Sequence, residues 1–166
     1  LAAHFYRPGS RIYDLGCSNG NFGMRFGAEM GEREFCLVAV DSSQPMLDLY
    51  RQRLAEHSWQ DAVELVCGDI CEQALSEASV VVITLTLQFL PLAARDALLE
   101  RIYRALRPGG VLLLTEKVVH ADPALNALQQ DSPFAFMFGS VAVRDNMAEI
   151  ISRIFRIPVA GRPITI

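Results

Sequence analysis

No apolar run in this chain approaches the ~20 residues of a membrane-spanning helix, and no secretory leader is readable at its start; a cytoplasmic protein with no membrane partner is expected. Positive charge is in deficit as well. Lys and Arg number 15 against 19 Asp and Glu, a formal net charge of −4, which removes any global attraction to nucleic acid. Histidine is scarce, and His4, His57 and His120 each lie apart from any Cys or Ser motif, so no nucleophile–base pair is readable. Of the four cysteines, Cys67 and Cys71 are close, with neither a second pair nor a histidine beside them. No metal site is expected there; reduced core thiols are. Repeats and low-complexity stretches are missing from residues 1–117. What remains, 166 residues that are 51% hydrophobic and 20% charged, has the composition of a single globular domain over 1–166.

The positive signal is concentrated in Ile12-Tyr13-Asp14-Leu15-Gly16-Cys17-Ser18-Asn19-Gly20, where a short apolar β run breaks into small residues and opens a helix. A strand that stops in a tight turn and feeds a helix presents backbone N–H groups beside the helix's positive end, a place suited to a polar or anionic ligand. Gly16 lets the backbone turn and lets a ligand come close. The spacing Asp14-x-Gly16-x-Ser18-x-Gly20 differs from the G-x-G-x-x-G of dinucleotide binders, because the last glycine arrives one residue early. Alone, it also fits an ordinary strand-to-helix turn.

The flanking chain alternates strand and helix. Residues 1–6 read as a helix tail, and Arg11 to Leu15 as the first strand. Asn19 is expected to cap a helix to about Met30, with Phe22 and Phe26 on one face. Phe35 to Val40 is a continuous apolar run of the kind a parallel strand covered on both faces shows, and Asp41 ends it. Ser42 or Ser43 caps a helix with Pro45 in its first turn and an apolar stripe through Met46, Leu47, Leu49, Tyr50 and Leu54. Ala62 to Val66 is the third strand, closed by Gly68-Asp69. A short helix over Cys71–Leu75 leads to the fourth, Val80 to Ile83. The longest helix runs from Pro91 to Leu106, is stopped by Pro108-Gly109-Gly110, and precedes a fifth strand, Val111 to Thr115. Its arginines at 95, 101, 104 and 107 alternate with Asp96 and Glu100 and read as a solvated, salt-bridged face.

This rhythm specifies an α/β, doubly wound (Rossmann-like) parallel sheet with right-handed connections. After Lys117 the rhythm changes to a divergent, helical C-terminal part, 118–166: a short helix from Asp122 to about Gln130, and a second from about Val141 to Arg156. Between them Phe134 to Phe138 fits a docked loop, an edge strand or an interface patch, with core packing favoured.

In an open parallel sheet the ligand sits beyond the carboxyl ends of the strands, where strand order reverses. Asp14 to Gly20, Asp41-Ser42, Asp69-Ile70 and Thr84 fall at the ends of strands one to four. Carboxylates at such an edge gain nothing from burial but can accept from hydroxyl and amino donors. Asp41 is placed to accept from both ribose hydroxyls of a nucleoside, and Asp69 with the Ile70 N–H to read an adenine edge. No general base is assigned. Glu116-Lys117, at the end of strand five, lies near the expected acceptor pocket, to orient a substrate carboxylate or to form a strand-end ion pair.

The first of these motifs resembles that of the class I S-adenosylmethionine-dependent methyltransferases, with Ser18 in place of their middle glycine. Together with Ala39-Val40-Asp41-Ser42-Ser43, Gly68-Asp69-Ile70, Thr86-Leu87-Gln88-Phe89-Leu90, Arg107-Pro108-Gly109-Gly110 and Thr115-Glu116-Lys117, it is similar to the bacterial carboxy-S-adenosylmethionine synthases of the tRNA wobble-uridine oxyacetate pathway. That likeness covers residues 1–117 and implies a class I methyltransferase fold, shortened at both ends. It implies S-adenosyl-L-methionine or its carboxy form as cofactor, prephenate as small-molecule co-substrate, and phenylpyruvate as by-product. Carried onto this chain, Gly16, Cys17 and Ser18 line the amino-acid end, Asp41 and Ser42 take the ribose, and Asp69 with Ile70 the adenine. Thr84 stands near the sulfonium where the family has asparagine. The family's extra N-terminal helical segment and its basic, tyrosine-containing segment beyond position 117 have no match, so ligand binding is better supported than turnover. Two other readings stay open: an ordinary class I small-molecule methyltransferase, and a shortened non-catalytic binding or assembly module with Phe134 to Phe138 as its contact surface; a homodimer stays open beside them.

Overall fold

The computed structural model describes residues 1–117 and the strand at 138–143. Chain order is α1 (Ala2–Phe5), β1 (Arg11–Leu15), α2 (Asn21–Met30), β2 (Leu37–Asp41), α3 (Gln44–Leu54), β3 (Val63–Cys67), β4 (Ala78–Thr84), α4 (Leu92–Ala105), β5 (Leu106–Lys117) and β6 (Phe138–Val143). They form one six-stranded sheet in the order β3-β2-β1-β4-β5-β6. The first five strands in that order pair in parallel, and β6 runs antiparallel on the far edge. Strand order reverses between β1 and β4, which gives the doubly wound architecture with its crevice at the expected switch point.

Alternation along the strands divides two cores. Tyr13, Leu15, Val38, Val40, Val81, Ile83, Leu112 and Leu114 face Leu98, Leu99 and Ile102 of α4. Ile12, Leu37, Ala39, Val80, Val82 and Val111 face Phe26 and Met30 of α2 and Leu47, Tyr50 and Leu54 of α3. Covered on both faces, β2 and β4 are nearly continuous apolar runs, as expected of inner parallel strands.

Several expectations are corrected. The N-cap of α2 is Gly20, in the left-handed region at φ 83°, rather than Asn19. Met46 and Leu49 lie on the exposed side of α3, so its buried stripe is narrower than expected. Residues 71–75 form a turn and extended chain, not a helix. Asp69 Oδ1 accepts from the Cys71 N–H at 2.8 Å, and the Arg101 guanidinium donates to the Cys71 and Gln73 carbonyls, so side chains supply partners that a helix would have found in its own backbone. Arg95 likewise turns inward and is only 3% exposed; Arg104 and Arg107 alone pair with surface carboxylates, Glu100 and Glu77. Strand β5 begins at Leu106, before the Pro108-Gly109-Gly110 segment, and pairs Leu106 with Ala78. Val141 to Val143 belong to β6 rather than to a helix, because they complete the edge that β5 offers. The rest of that expected helix, the one at 122–130 and residues 134–137 lie outside the described residues. Cys67 is exposed, whereas Cys17 is buried.

Tyr50 fixes how α2 and α3 approach. A Cβ at Gly20 or Gly23 would overlap the Tyr50 ring or hydroxyl, so the glycines make room for an aromatic side chain. Gly20→Ala is expected to destabilise the domain by roughly 2–5 kcal/mol, from left-handed backbone and overpacking together. Urea unfolding should show this as a lower midpoint at unchanged slope.

Candidate functional site

A cavity of about 710 Å³ opens beyond the carboxyl ends of β1 to β4. Its volume lies within the range of small-molecule sites. Asp14, Gly16, Cys17, Ser18, Asp41, Ser42, Asp69, Ile70 and Thr84 all line it. Gly20 does not; its lack of a side chain serves Tyr50.

The glycine turn does its work differently from the sequence expectation. Gly16 N–H and Cys17 N–H both donate to the Val40 carbonyl, at 2.8 and 3.1 Å, and Ser18 N–H donates to Asp41 Oδ2 at 2.8 Å. These donors stitch β1 to β2, so they are not a free cradle for an anion. Gly16, at φ 82°, borders the cavity, but the space its missing Cβ leaves is filled by the Thr86 side chain. Ser18 holds a left-handed φ of 50°. On the outer side Arg53 Nη1 donates to the Asn19 carbonyl at 2.6 Å and to Asn21 Oδ1 at 3.0 Å, which fixes the turn against α3.

Asp41 Oδ1 accepts from the Ser43 N–H at 2.9 Å. Each of its oxygens therefore already has one backbone donor and keeps lone-pair capacity for another. Asp69, engaged through Oδ1 by Cys71, sits across the same cavity.

The remaining wall was not assigned in advance. The turn after β4 contributes Leu85, Thr86, Phe89 and Leu90, and the opposite side adds Asn21, Phe22, Met46 and Gly68. Phe89 stands 79% exposed at the rim. The conspicuous Thr86-Leu87-Gln88-Phe89-Leu90 run was the available signal, and its place directly after a strand at the switch point would have marked it as wall. Glu116 is not part of the lining. It is buried, and its Oε1 accepts from the Leu87 N–H at 2.7 Å, so it faces the turn after β4 rather than the cavity.

Electrostatically the cavity is acidic. Three aspartates line it, and no Lys, Arg or His does among the described residues. Asp14 is 2% exposed and its Oδ2 has no partner among the described residues. Burial, reinforced by the nearby Asp41 carboxylate, pushes its carboxyl up to about 7. Cys17 is also pushed upward, by burial and then by Asp14 and Asp41, so it stays a neutral thiol rather than a nucleophile. Burial raises Glu116 too, against the pull of the Leu87 and Thr86 N–H groups and the Arg95 charge. No cluster of metal-ligating residues occurs among the described residues, and no helix there is long and apolar enough to cross a membrane.

A family described as a methyltransferase domain matches residues 12–110, the span that builds this sheet and cavity. The chain belongs to that family. This methyltransferase domain is 53% identical over 131 residues to a carboxy-S-adenosyl-L-methionine synthase of Desulforapulum autotrophicum, covering 79% of this chain and 53% of that protein. It is 40% identical over 131 residues to the synthase of the same name from Shewanella woodyi, covering 79% and 54%. The domain thus spans about half the length of these relatives. Among solved structures it resembles the CcbJ methyltransferase of Streptomyces caelestis, with TM-score 0.59, 24% identity and coverage of 70% and 49%. It also resembles the glycopeptide N-methyltransferase MtfA complexed with S-adenosyl-L-methionine, with TM-score 0.59, 23% identity and coverage of 86% and 62%. These structural likenesses establish the fold.

The buried Asp14 has a consequence for stability. Its folded-state carboxyl titrates near 7 and its unfolded one near the ordinary 3.8, so between those pH values the folded chain binds the extra proton. Its stabilising contribution is complete below the unfolded value and is lost as the pH rises through about 7. Denaturant titrations of the unliganded domain across this window should show stability falling with pH on this account, and Asp14→Asn should flatten the fall.

Proposed function

We propose that the cavity binds S-adenosyl-L-methionine or its carboxy derivative, and that this domain is the nucleoside-binding part of an enzyme of the carboxy-S-adenosylmethionine synthase type. The observation that carries this reading is an acidic lining with no basic side chain among the described residues, together with a buried carboxylate oxygen, Asp14 Oδ2, that has no partner among them. A phosphate-bearing dinucleotide would be repelled there. A nucleoside with two hydroxyls, an adenine edge, a sulfonium and an ammonium offers the complement. On this reading Asp41 and Ser42 hold the ribose and Asp69 with Ile70 the adenine. Asp14, Gly16, Cys17 and Ser18 border the amino-acid end, and Thr84 the sulfonium. The similarity to two carboxy-S-adenosyl-L-methionine synthases supports the reaction class. In the reaction we propose, the carboxyl group of prephenate is transferred to the S-methyl carbon, which loses a proton, while prephenate loses hydroxide, so that phenylpyruvate and water are released. A cytoplasmic setting belongs to the same reading.

The test is mass spectrometry of the nucleoside that co-purifies with the protein or forms on incubation with S-adenosylmethionine and prephenate. A gain of one carboxyl group is the expected product. Formation of S-adenosylhomocysteine only with an added acceptor would point instead to an ordinary small-molecule methyltransferase, and a stable homodimer without nucleoside affinity to an assembly module.

Two measurements address the binding residues. Asp41→Ala should weaken S-adenosylmethionine binding in calorimetry by roughly 1.5–3 kcal/mol, the size of a lost charge-assisted hydrogen bond. Affinity should also rise as the pH approaches and passes about 7, because Asp14 must shed its proton to face an ammonium. That rise should be read below about 7.7–8.0, where a ligand α-amine itself titrates. Asp14→Asn should abolish it.

A further inference from the structure

We propose that Glu116 and Arg95 are positioning residues that hold the turn over residues 84–90 in register, and so set the sulfonium-end wall of the cavity without touching the ligand. The inference rests on the nucleoside reading of the cavity for its functional half, and on hydrogen bonding alone for its structural half.

The turn needs external support. Leu85 adopts a left-handed φ of 55°, a conformation unfavourable for a side chain with a Cβ. Three residues from two elements, β5 and α4, tether it. Leu85 N–H donates to the Thr115 carbonyl of β5 at 2.7 Å. One residue on, Glu116 Oε1 accepts from Leu87 N–H at 2.7 Å, and the Thr86 N–H dipole also favours its charge. From α4, Arg95 Nε donates to the Leu90 carbonyl at 3.1 Å and Nη2 to the Gln88 carbonyl at 3.5 Å. A buried carboxylate thus takes a donor at the start of the turn, and a buried guanidinium gives donors to acceptors at its end.

Burial makes these charges costly unless they act together. Glu116 is 5% and Arg95 3% exposed, and packing alone would be served as well by apolar side chains of similar volume. Their opposite charges attract, yet each keeps one buried atom unpartnered among the described residues, Glu116 Oε2 and Arg95 Nη1. Both are anchored to the turn's backbone rather than to each other. What the turn carries explains the arrangement: Thr84, Leu85 and Thr86 line the cavity, and Thr86 fills the gap at Gly16. Releasing the turn shifts that wall and unseats Thr86, while Asp41 and Asp69, on β2 and after β3, stay in place.

The experiment compares wild type, Glu116→Ala, Glu116→Gln and Arg95→Lys by amide hydrogen exchange without ligand, and by calorimetry with adenosine and with S-adenosylmethionine. In Glu116→Ala, exchange over 84–90 should accelerate at least tenfold while β1 to β3 keep wild-type protection. Affinity for S-adenosylmethionine should drop at least tenfold and affinity for adenosine, which lacks the sulfonium end, less than twofold. Glu116→Gln, which retains a carbonyl acceptor, should recover most of both losses. Arg95→Lys should loosen 88–90, and it decides the matter should the alanine variant fail to fold. Unchanged exchange over 84–90, exchange raised equally across the sheet, or equal losses for both ligands would each overturn the proposal. Failure of the wild type to bind either ligand would remove the nucleoside reading and the functional half with it, while the exchange comparison still decides whether the two residues brace the turn.

Discussion

The seat of Thr86 against the bare backbone of Gly16 is the constraint on which the site depends. At the switch point α2 leaves β1 toward one face of the sheet, while α4, following β4, lies against the other. The crevice between them would splay open if their first turns did not meet. A side chain at Gly16 would occupy the volume that Thr86 takes, so the glycine permits contact between the two turns rather than chiefly between turn and ligand. The close approach also explains why the backbone donors of the first turn are directed at Val40 and Asp41: β1, β2 and β4 are tied at their tips as one unit, and the cavity is the concavity that this unit leaves.

The chemistry of that concavity follows from what the tie consumes. With the Gly16, Cys17 and Ser18 backbone donors engaged internally, the wall presents the carboxylate acceptors of Asp14, Asp41 and Asp69 beside the neutral Cys17 thiol. Asp41 joins both roles, because the carboxylate that fixes the Ser18 and Ser43 amides is also the one that borders the cavity. Asp14 has no such internal employment for Oδ2 and is kept away from water, which lifts its proton affinity into the physiological range. A buried acid near its titration point, in a cavity whose lining holds no basic side chain among the described residues, is the feature on which the proposal of a cationic ligand rests.

Much of this was legible in the sequence because the parallel sheet writes itself in continuous apolar runs ending in Gly or Asp. The doubly wound parallel sheet, the switch point at β1 and the convergence of Asp14, Asp41, Asp69 and Thr84 all followed from that pattern, whereas the antiparallel β6 did not. What escaped was information carried between elements. Arg95 and Arg101 share a helix with acidic neighbours and read as surface, since nothing in local spacing shows that their guanidinium groups reach backbone carbonyls of other segments. Gly20 sits in the right motif for a ligand, yet its neighbour in space is Tyr50, thirty positions along the chain. The absent helix at 71–75 and the strand through Val141 are the same lesson: a partner supplied from elsewhere, Arg101 in one case and the β5 edge in the other, outweighed local propensity.

Helix α4 carries two anchors that hold different segments behind the cavity wall. Arg95 grips the segment after β4, and Arg101 grips the segment after β3. Six residues of helix separate them, a rise of about 9 Å. Two segments that both contribute to the cavity wall are therefore bolted to one rod, and a tilt of that rod would move both in concert, as in a caliper.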